Sequence, residues 1–122
     1  MDKLSPNLKV EYHGAIIVAT LTDEKILDDT QIQGLEGSFL PLIEQTENIQ
    51  LIVDFSTVKF LTSSVLGLLI RISKKIYEKG GRLRLCAIDP KIMEVFRITR
   101  LDKIFEIFPD LDDALVGLKR SV

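Results

Sequence analysis

The sequence predicts a single α/β domain in which a mixed, mostly parallel β-sheet is packed with helices. Residues 49–55 form a nearly continuous apolar run, which is typical of a strand buried on both faces. After this run, strand-like and helix-like patterns alternate to the end of the chain, as parallel sheets with crossover helices require. Two strand-like segments near the N-terminus lie close enough to pair as a hairpin. The predicted order is ββαβαβαβα, in one domain over residues 1–122.

The N-terminal part predicts a lead followed by the hairpin. Residues 1–7 are polar and include Pro6, and we expect a loose lead there. Apolar and polar side chains alternate over residues 8–13, which indicates a half-buried strand. Gly14 makes the turn, and residues 15–21 are rich in β-branched side chains, which favours a second and more buried strand. Because the link is short, the two strands should be antiparallel.

The first helix follows a polar loop over residues 22–30, in which one of residues 28–30 caps the helix. Pro41 cannot donate a hydrogen bond to the carbonyl of Gly37, so a kink or a short break is expected there. The apolar face has the three- and four-residue spacing of a helix: Ile32, Leu35, Phe39, Leu42 and Ile43.

The second helix comes after the central strand and begins at a cluster of hydroxyl side chains, Thr62, Ser63 and Ser64. Gly80 and Gly81 end this helix, because glycine adopts the left-handed conformation that commonly terminates helices. The inward face should carry Val65, Leu66, Leu69, Ile72 and Ile76.

The last third predicts strand, helix, strand and helix. Residues 82–88 alternate as a strand, and Cys86 on it should pack under a helix. Asp89 and Pro90 form a typical helix start. A strand is expected over residues 104–108. The final helix should follow Pro109 and Asp110 and face inward with Leu111, Leu115 and Leu118.

Composition and charge exclude several classes of function. Hydrophobic residues make up 46% and charged residues 28% of the chain, so a packed core is expected. The net charge of −2 argues against a nucleic-acid surface. No apolar run approaches the roughly 18 residues of a membrane span, and the first residues lack the apolar core of a signal peptide. We therefore expect no membrane insertion. Cys86 is the only cysteine, so no internal disulfide can form, and we expect a protein of the reducing cytoplasm.

The sequence contains no recognisable catalytic constellation. His13 and Cys86 are the only residues of their types, so there is neither a metal cluster nor a nucleophile–base pair. Asp54 invites comparison with a phosphorylated receiver domain, but the acidic pair Asp28 and Asp29 lies in a loop and not at the end of the first strand. We predict no enzyme activity, no metal and no cofactor.

The hydroxyl cluster at residues 62–64 has two possible roles. It can cap the backbone N–H groups at the start of the second helix. It can also present a hydroxyl at the positive end of the helix dipole, where an added phosphate is electrostatically favoured. The residues alone leave both roles open.

Two segments, FLTSSVLG and KGGRLRLCAIDPKIMEVFRITRLDKIFEIF, resemble the STAS domain family of bacterial anti-sigma factor antagonists. The sequence departs from the family pattern at Thr62, where the family has aspartate, and at Val65, where it has glycine. The matching residues are Phe60, Leu61, Ser63, Ser64, Leu66, Gly67, Gly80, Gly81, Pro90, Phe96, Thr99, Leu101 and Ile104.

The resemblance implies a regulatory binding module whose phosphorylated residue is Ser63. The partner would be an anti-sigma factor that is itself a serine kinase, and a serine phosphatase would reverse the modification. Partner contacts are expected from Thr62, Ser64, Val65 and Asp28. The alternative is a STAS adaptor without phosphorylation, in a stress-signalling scaffold or a lipid-transport complex. Monomer and dimer both remain open.

Overall fold

A computed structural model describes residues 3–4 and 7–118. In the described part the strands, in chain order, are β1 (Lys3–Leu4), β2 (Leu8–His13), β3 (Ile16–Leu21), β4 (Lys25–Ile26), β5 (Gln50–Asp54), β6 (Phe60–Leu61), β7 (Arg82–Cys86) and β8 (Glu106–Phe108). The helices are α1 (Asp29–Glu44), α2 (Ser63–Glu78), α3 (Pro90–Ile98) and α4 (Leu111–Leu115), with a 3-10 turn at Leu101–Lys103.

Six strands form the main sheet in the order β1-β2-β3-β5-β7-β8. The pairings β1–β2 and β2–β3 are antiparallel, and β3–β5, β5–β7 and β7–β8 are parallel. The predicted fold class, a single domain with a mixed and mostly parallel sheet, is confirmed. β4 and β6 pair in parallel as a separate two-stranded sheet.

The main core lies between one face of the sheet and helices α1, α2 and α3. Alternate residues of the central strands, such as Leu51 and Val53 of β5, point into it. The predicted inward faces of α1 and α2 are all buried, and α2 also buries Leu68 and Ser73. Gly80, with φ of +75°, ends α2 as expected.

A smaller core lies on the opposite face of the sheet, under α4. Ile16, Val18 and Ile52 pack there against α4, and Cys86 lies with them, as predicted. Burial raises the pKa of the Cys86 thiol to about 12, with Asp54 and Asp110 contributing, so the thiol stays protonated and unreactive near neutral pH.

Arg84 is a buried charge at the edge of this smaller core. It is only 7% exposed. Its guanidinium lies 4.8 Å from the centre of the Phe108 ring and donates to the backbone oxygens of Ala114 and Val116. Glu106 lies 3.6 Å from its Nε atom. Arg84 therefore holds the end of α4 against the sheet.

Three local expectations need correction in part. The lead at residues 1–7 is not loose throughout, because Lys3–Leu4 pair with β2 and Asn7 is buried; residues 1, 2, 5 and 6 lie outside the described part. α1 is continuous through Pro41, which excludes the short break, while the alternative of a kink stays a prediction. The last strand begins at Glu106, since the preceding residues form the 3-10 turn and Phe105 enters the core.

No helix in the described part is both long and apolar enough to span a bilayer.

Candidate functional site

Ser63 is the first residue of α2, and its side chain is exposed to solvent. Thr62 before it has extended backbone dihedrals, φ −93° and ψ 165°, and is the N-cap residue. Ser64 is also exposed. The change from extended to helical backbone therefore presents two neighbouring hydroxyl groups at the surface.

The hydroxyl of Thr62 does not cap α2. Its side chain makes no capping hydrogen bond, and among the described residues its Oγ1 atom is buried without a partner. The first turn of α2 also contains no acidic residue. The positive end of this helix is therefore not compensated by a side chain of the first turn or by its N-cap residue.

Ser63 lines a surface groove that we call the Ser63 groove. Within the described part of the chain, its wall contains two lysines, Lys59 and Lys91, and no carboxylate. The remaining lining side chains are apolar: Leu27, Phe60, Leu61, Ile92 and Val95. Three of these, Leu27, Phe60 and Val95, are at least 39% exposed. Clusters of exposed apolar side chains are typical of protein-docking surfaces.

The small sheet formed by β4 and β6 connects the segment after β3 with the segment before α2. The N–H groups of Lys59 and Phe60 donate to the Glu24 oxygen at 2.8 and 3.2 Å, and that of Thr62 donates to the Ile26 oxygen at 3.2 Å. The segment after β3 is thereby fastened to the residue that precedes Ser63.

Asp28 follows this small sheet and is exposed at the start of α1. Its carboxylate accepts from the N–H of Gln31 at 2.9 Å, and the Gln31 side chain accepts from the N–H of Asp28 at 3.2 Å. This reciprocal capping box keeps Asp28 in a fixed position. Asp28 thus lies two residues after Ile26, whose backbone oxygen accepts a hydrogen bond from the N–H of Thr62.

Val65 does not belong to the surface. It is 1% exposed and packs in the main core, so its side chain presents almost no surface to a partner, and its role in partner binding stays a prediction. The spacing that placed Val65 on the inward face of α2 already indicated this burial.

Sequence reasoning missed Lys59, Lys91, Leu27 and Val95 as parts of the site. They come from the loop before β6, from α3 and from the segment after β4, so no local pattern connects them with Ser63. Among the described residues, no group of three or more His, Cys, Asp or Glu side chains is arranged to hold a metal ion.

Comparison with known proteins identifies a family and related folds. The model of the STAS domain family matches residues 7–114. An anti-sigma F factor antagonist of Paenibacillus polymyxa is 23% identical over 112 residues, which is 92% of this chain and 94% of that protein. The structure of an anti-sigma-factor antagonist (STAS) domain protein of Planctomyces limnophilus has a TM-score of 0.82 at 23% identity, covering 90% of this chain and 96% of the other. That of an anti-sigma factor antagonist of Mycobacterium paratuberculosis has a TM-score of 0.80 at 28% identity, covering 94% and 97%.

Proposed function

The chain belongs to the STAS domain family, and we propose that it is a cytoplasmic anti-sigma factor antagonist whose partner binding is switched off by phosphorylation of Ser63. The proposed partner is an anti-sigma factor with serine kinase activity, and a serine phosphatase restores the binding form. Similarity to anti-sigma factor antagonists along most of the chain supports the regulatory class.

The observation that carries the proposal is the exposure of Ser63 at the first position of α2, inside a groove with apolar walls. An acceptor hydroxyl must be accessible to a kinase, and a switch must lie where the partner docks. The exposure of Ser63 and its place in an apolar groove support both requirements, whereas the hydroxyl of Thr62 is buried.

The chemical step is a phosphoryl transfer from ATP. The oxygen of Ser63 attacks the γ-phosphorus, the bond from that phosphorus to the ADP oxygen breaks, and ADP leaves. The serine proton passes to a base on the kinase. Hydrolysis by the phosphatase returns the hydroxyl and releases inorganic phosphate.

The effect of the modification is electrostatic. A phosphate adds about −1.5 to −2 charges at neutral pH. The fold tolerates this charge, because the start of α2 carries a partial positive charge and no acidic residue in its first turn. A partner surface in contact with that turn must instead accommodate a bulky dianion, so phosphorylation removes binding while the domain stays folded.

Intact-mass measurement tests the site of modification. Wild-type protein, Ser63→Ala and Ser64→Ala are incubated with the kinase isolated from the native organism and with ATP. We expect one added phosphate on wild type and on Ser64→Ala and none on Ser63→Ala. The Ser64→Ala variant is the matched control, since it removes the neighbouring exposed hydroxyl. Phosphate on Ser63→Ala would place the acceptor elsewhere.

A pull-down from the native lysate tests the switch. Wild-type protein should retain an anti-sigma factor carrying a histidine-kinase-like ATPase domain, and Ser63→Asp should not. If Ser63→Asp retains the same proteins as wild type, the alternative function of an adaptor without phosphorylation is correct.

A further inference from the structure

Two lysines share a groove with the proposed acceptor serine. We propose that Lys59 and Lys91 bind the phosphate of phosphorylated Ser63, so that the modification fills the Ser63 groove from within. This inference rests on the proposed function, because it concerns the phosphorylated form. It adds that the phosphate blocks docking by occupying the groove, beyond any repulsion of an approaching partner.

The backbones of both lysines are fixed. Just before β6, the backbone N–H of Lys59 donates a hydrogen bond to the backbone oxygen of Glu24 at 2.8 Å. The N–H of Lys91 donates to the carboxylate of Asp89 at 2.9 Å, at the start of α3. The two lysines therefore line one groove from two different elements whose backbones are held by hydrogen bonds.

The ammonium groups of both lysines are free to bind a new anion. Neither forms an ion pair with any described residue. By contrast, the ammonium group of Lys79 donates a hydrogen bond to the backbone oxygen of Glu44 and forms an ion pair with Glu47. Among the residues that the structure describes, no carboxylate lines the groove. Two uncompensated cations beside a hydroxyl create a local positive potential that an added phosphate satisfies.

The chemistry of the pair suits a phosphate. Ammonium groups donate charge-assisted hydrogen bonds to phosphate oxygens, and these are stronger than neutral ones. Nearby cations also stabilise the dianion relative to the monoanion, which lowers the second pKa of the phosphoserine below its ordinary value of about 6. A phosphate held by Lys59 and Lys91 lies in the groove that they share with the exposed side chains of Leu27 and Phe60. Those apolar surfaces are then covered and cannot receive a partner side chain.

The test measures the second pKa of the phosphate by phosphorus NMR. Phosphoserine is installed at position 63 by genetic encoding, so that no kinase is needed. We compare the otherwise wild-type protein with Lys59→Gln, Lys91→Gln and the double variant. We expect the pKa to rise in each single variant and by about half a unit or more in the double variant.

The matched control is Lys74→Gln, which removes an exposed lysine of α2 eleven residues from Ser63. That spacing corresponds to about 16 Å along the helix, beyond one Debye length at physiological salt. This variant should leave the pKa unchanged. Circular dichroism melts check that every variant is folded.

An unchanged pKa in the folded double variant would overturn the proposal, as would an equal rise in Lys74→Gln. Because the phosphate is installed without a kinase, these results concern the lysines alone and can be told apart from failure of the proposed function. Failure of the proposed function would appear as missing phosphorylation of Ser63 by the native kinase.

Discussion

Replacement of Ser63 by aspartate should leave the domain slightly more stable, although we expect it to abolish partner binding. α2 is 16 residues long, has no acidic residue in its first turn and receives no side-chain cap from Thr62. An introduced carboxylate therefore meets uncompensated backbone N–H groups. Because Ser63 is exposed, the expected gain is that of a surface site, about 0.3–1 kcal/mol in the free energy of unfolding. The reference is Ser63→Asn, which has the same size and no charge.

The gain should depend on pH and salt in a defined direction. At 1.36 kcal/mol per pKa unit, it corresponds to a pKa of the introduced carboxylate lowered by about 0.2–0.7 unit in the folded state. A lowered folded pKa means that the gain is complete above the unfolded pKa of about 3.9 and is lost as the pH falls through the folded value. Salt at about 1 M should also reduce it, because the charge is exposed.

Urea unfolding followed by circular dichroism measures both variants at neutral and acidic pH and at low and high salt. The reasoning is refuted if Ser63→Asp is less stable than Ser63→Asn at neutral pH and low salt. It is also refuted if the difference between them persists after the carboxylate is protonated. A confirmed gain would show that loss of partners by Ser63→Asp is not caused by unfolding.

Two further predictions concern the fold. Arg84→Ala should lower the free energy of unfolding by about 2–4 kcal/mol in a urea titration, because two backbone carbonyl groups at the end of α4 lose their buried donor. The control is Arg82→Ala, which removes an exposed arginine that, like Arg84, is paired with Glu106. It should lower the free energy of unfolding by less than about 1 kcal/mol. Gly81→Ala should destabilise by about 1–3 kcal/mol, since the added methyl would lie 2.5 Å from the Ile49 oxygen. Gly37→Ala, inside α1 with nothing within 4 Å, should stabilise by about 0.5–1 kcal/mol, and equal effects of the two glycine changes would contradict the packing argument.

The sequence predicts those parts of the fold in which one periodic pattern decides burial. The inward face of α2 follows from its spacing, and Cys86 was expected under a helix because it alternates with the residues of the main core. The same spacing predicts the burial of Val65, whereas the family resemblance predicts a partner contact there, because Val65 follows the serine pair.

Other features depend on contacts between distant segments and have no local pattern. β4 and β6 contain two residues each, too few for any alternation to be recognised. Arg84 reads as an outward charge on β7, and only α4, which covers the second face of the sheet, makes it buried. Lys91 belongs to the site because α3 returns to the start of α2, which the order of elements alone does not specify.

The pairing of β4 with β6 has a consequence for how related proteins diverge. Through the Ile26 oxygen, the residues between β3 and α1 set the position of Thr62 and with it the entry to α2. Insertions or substitutions in that connection can therefore change the orientation of the Ser63 side chain without altering the sequence of α2.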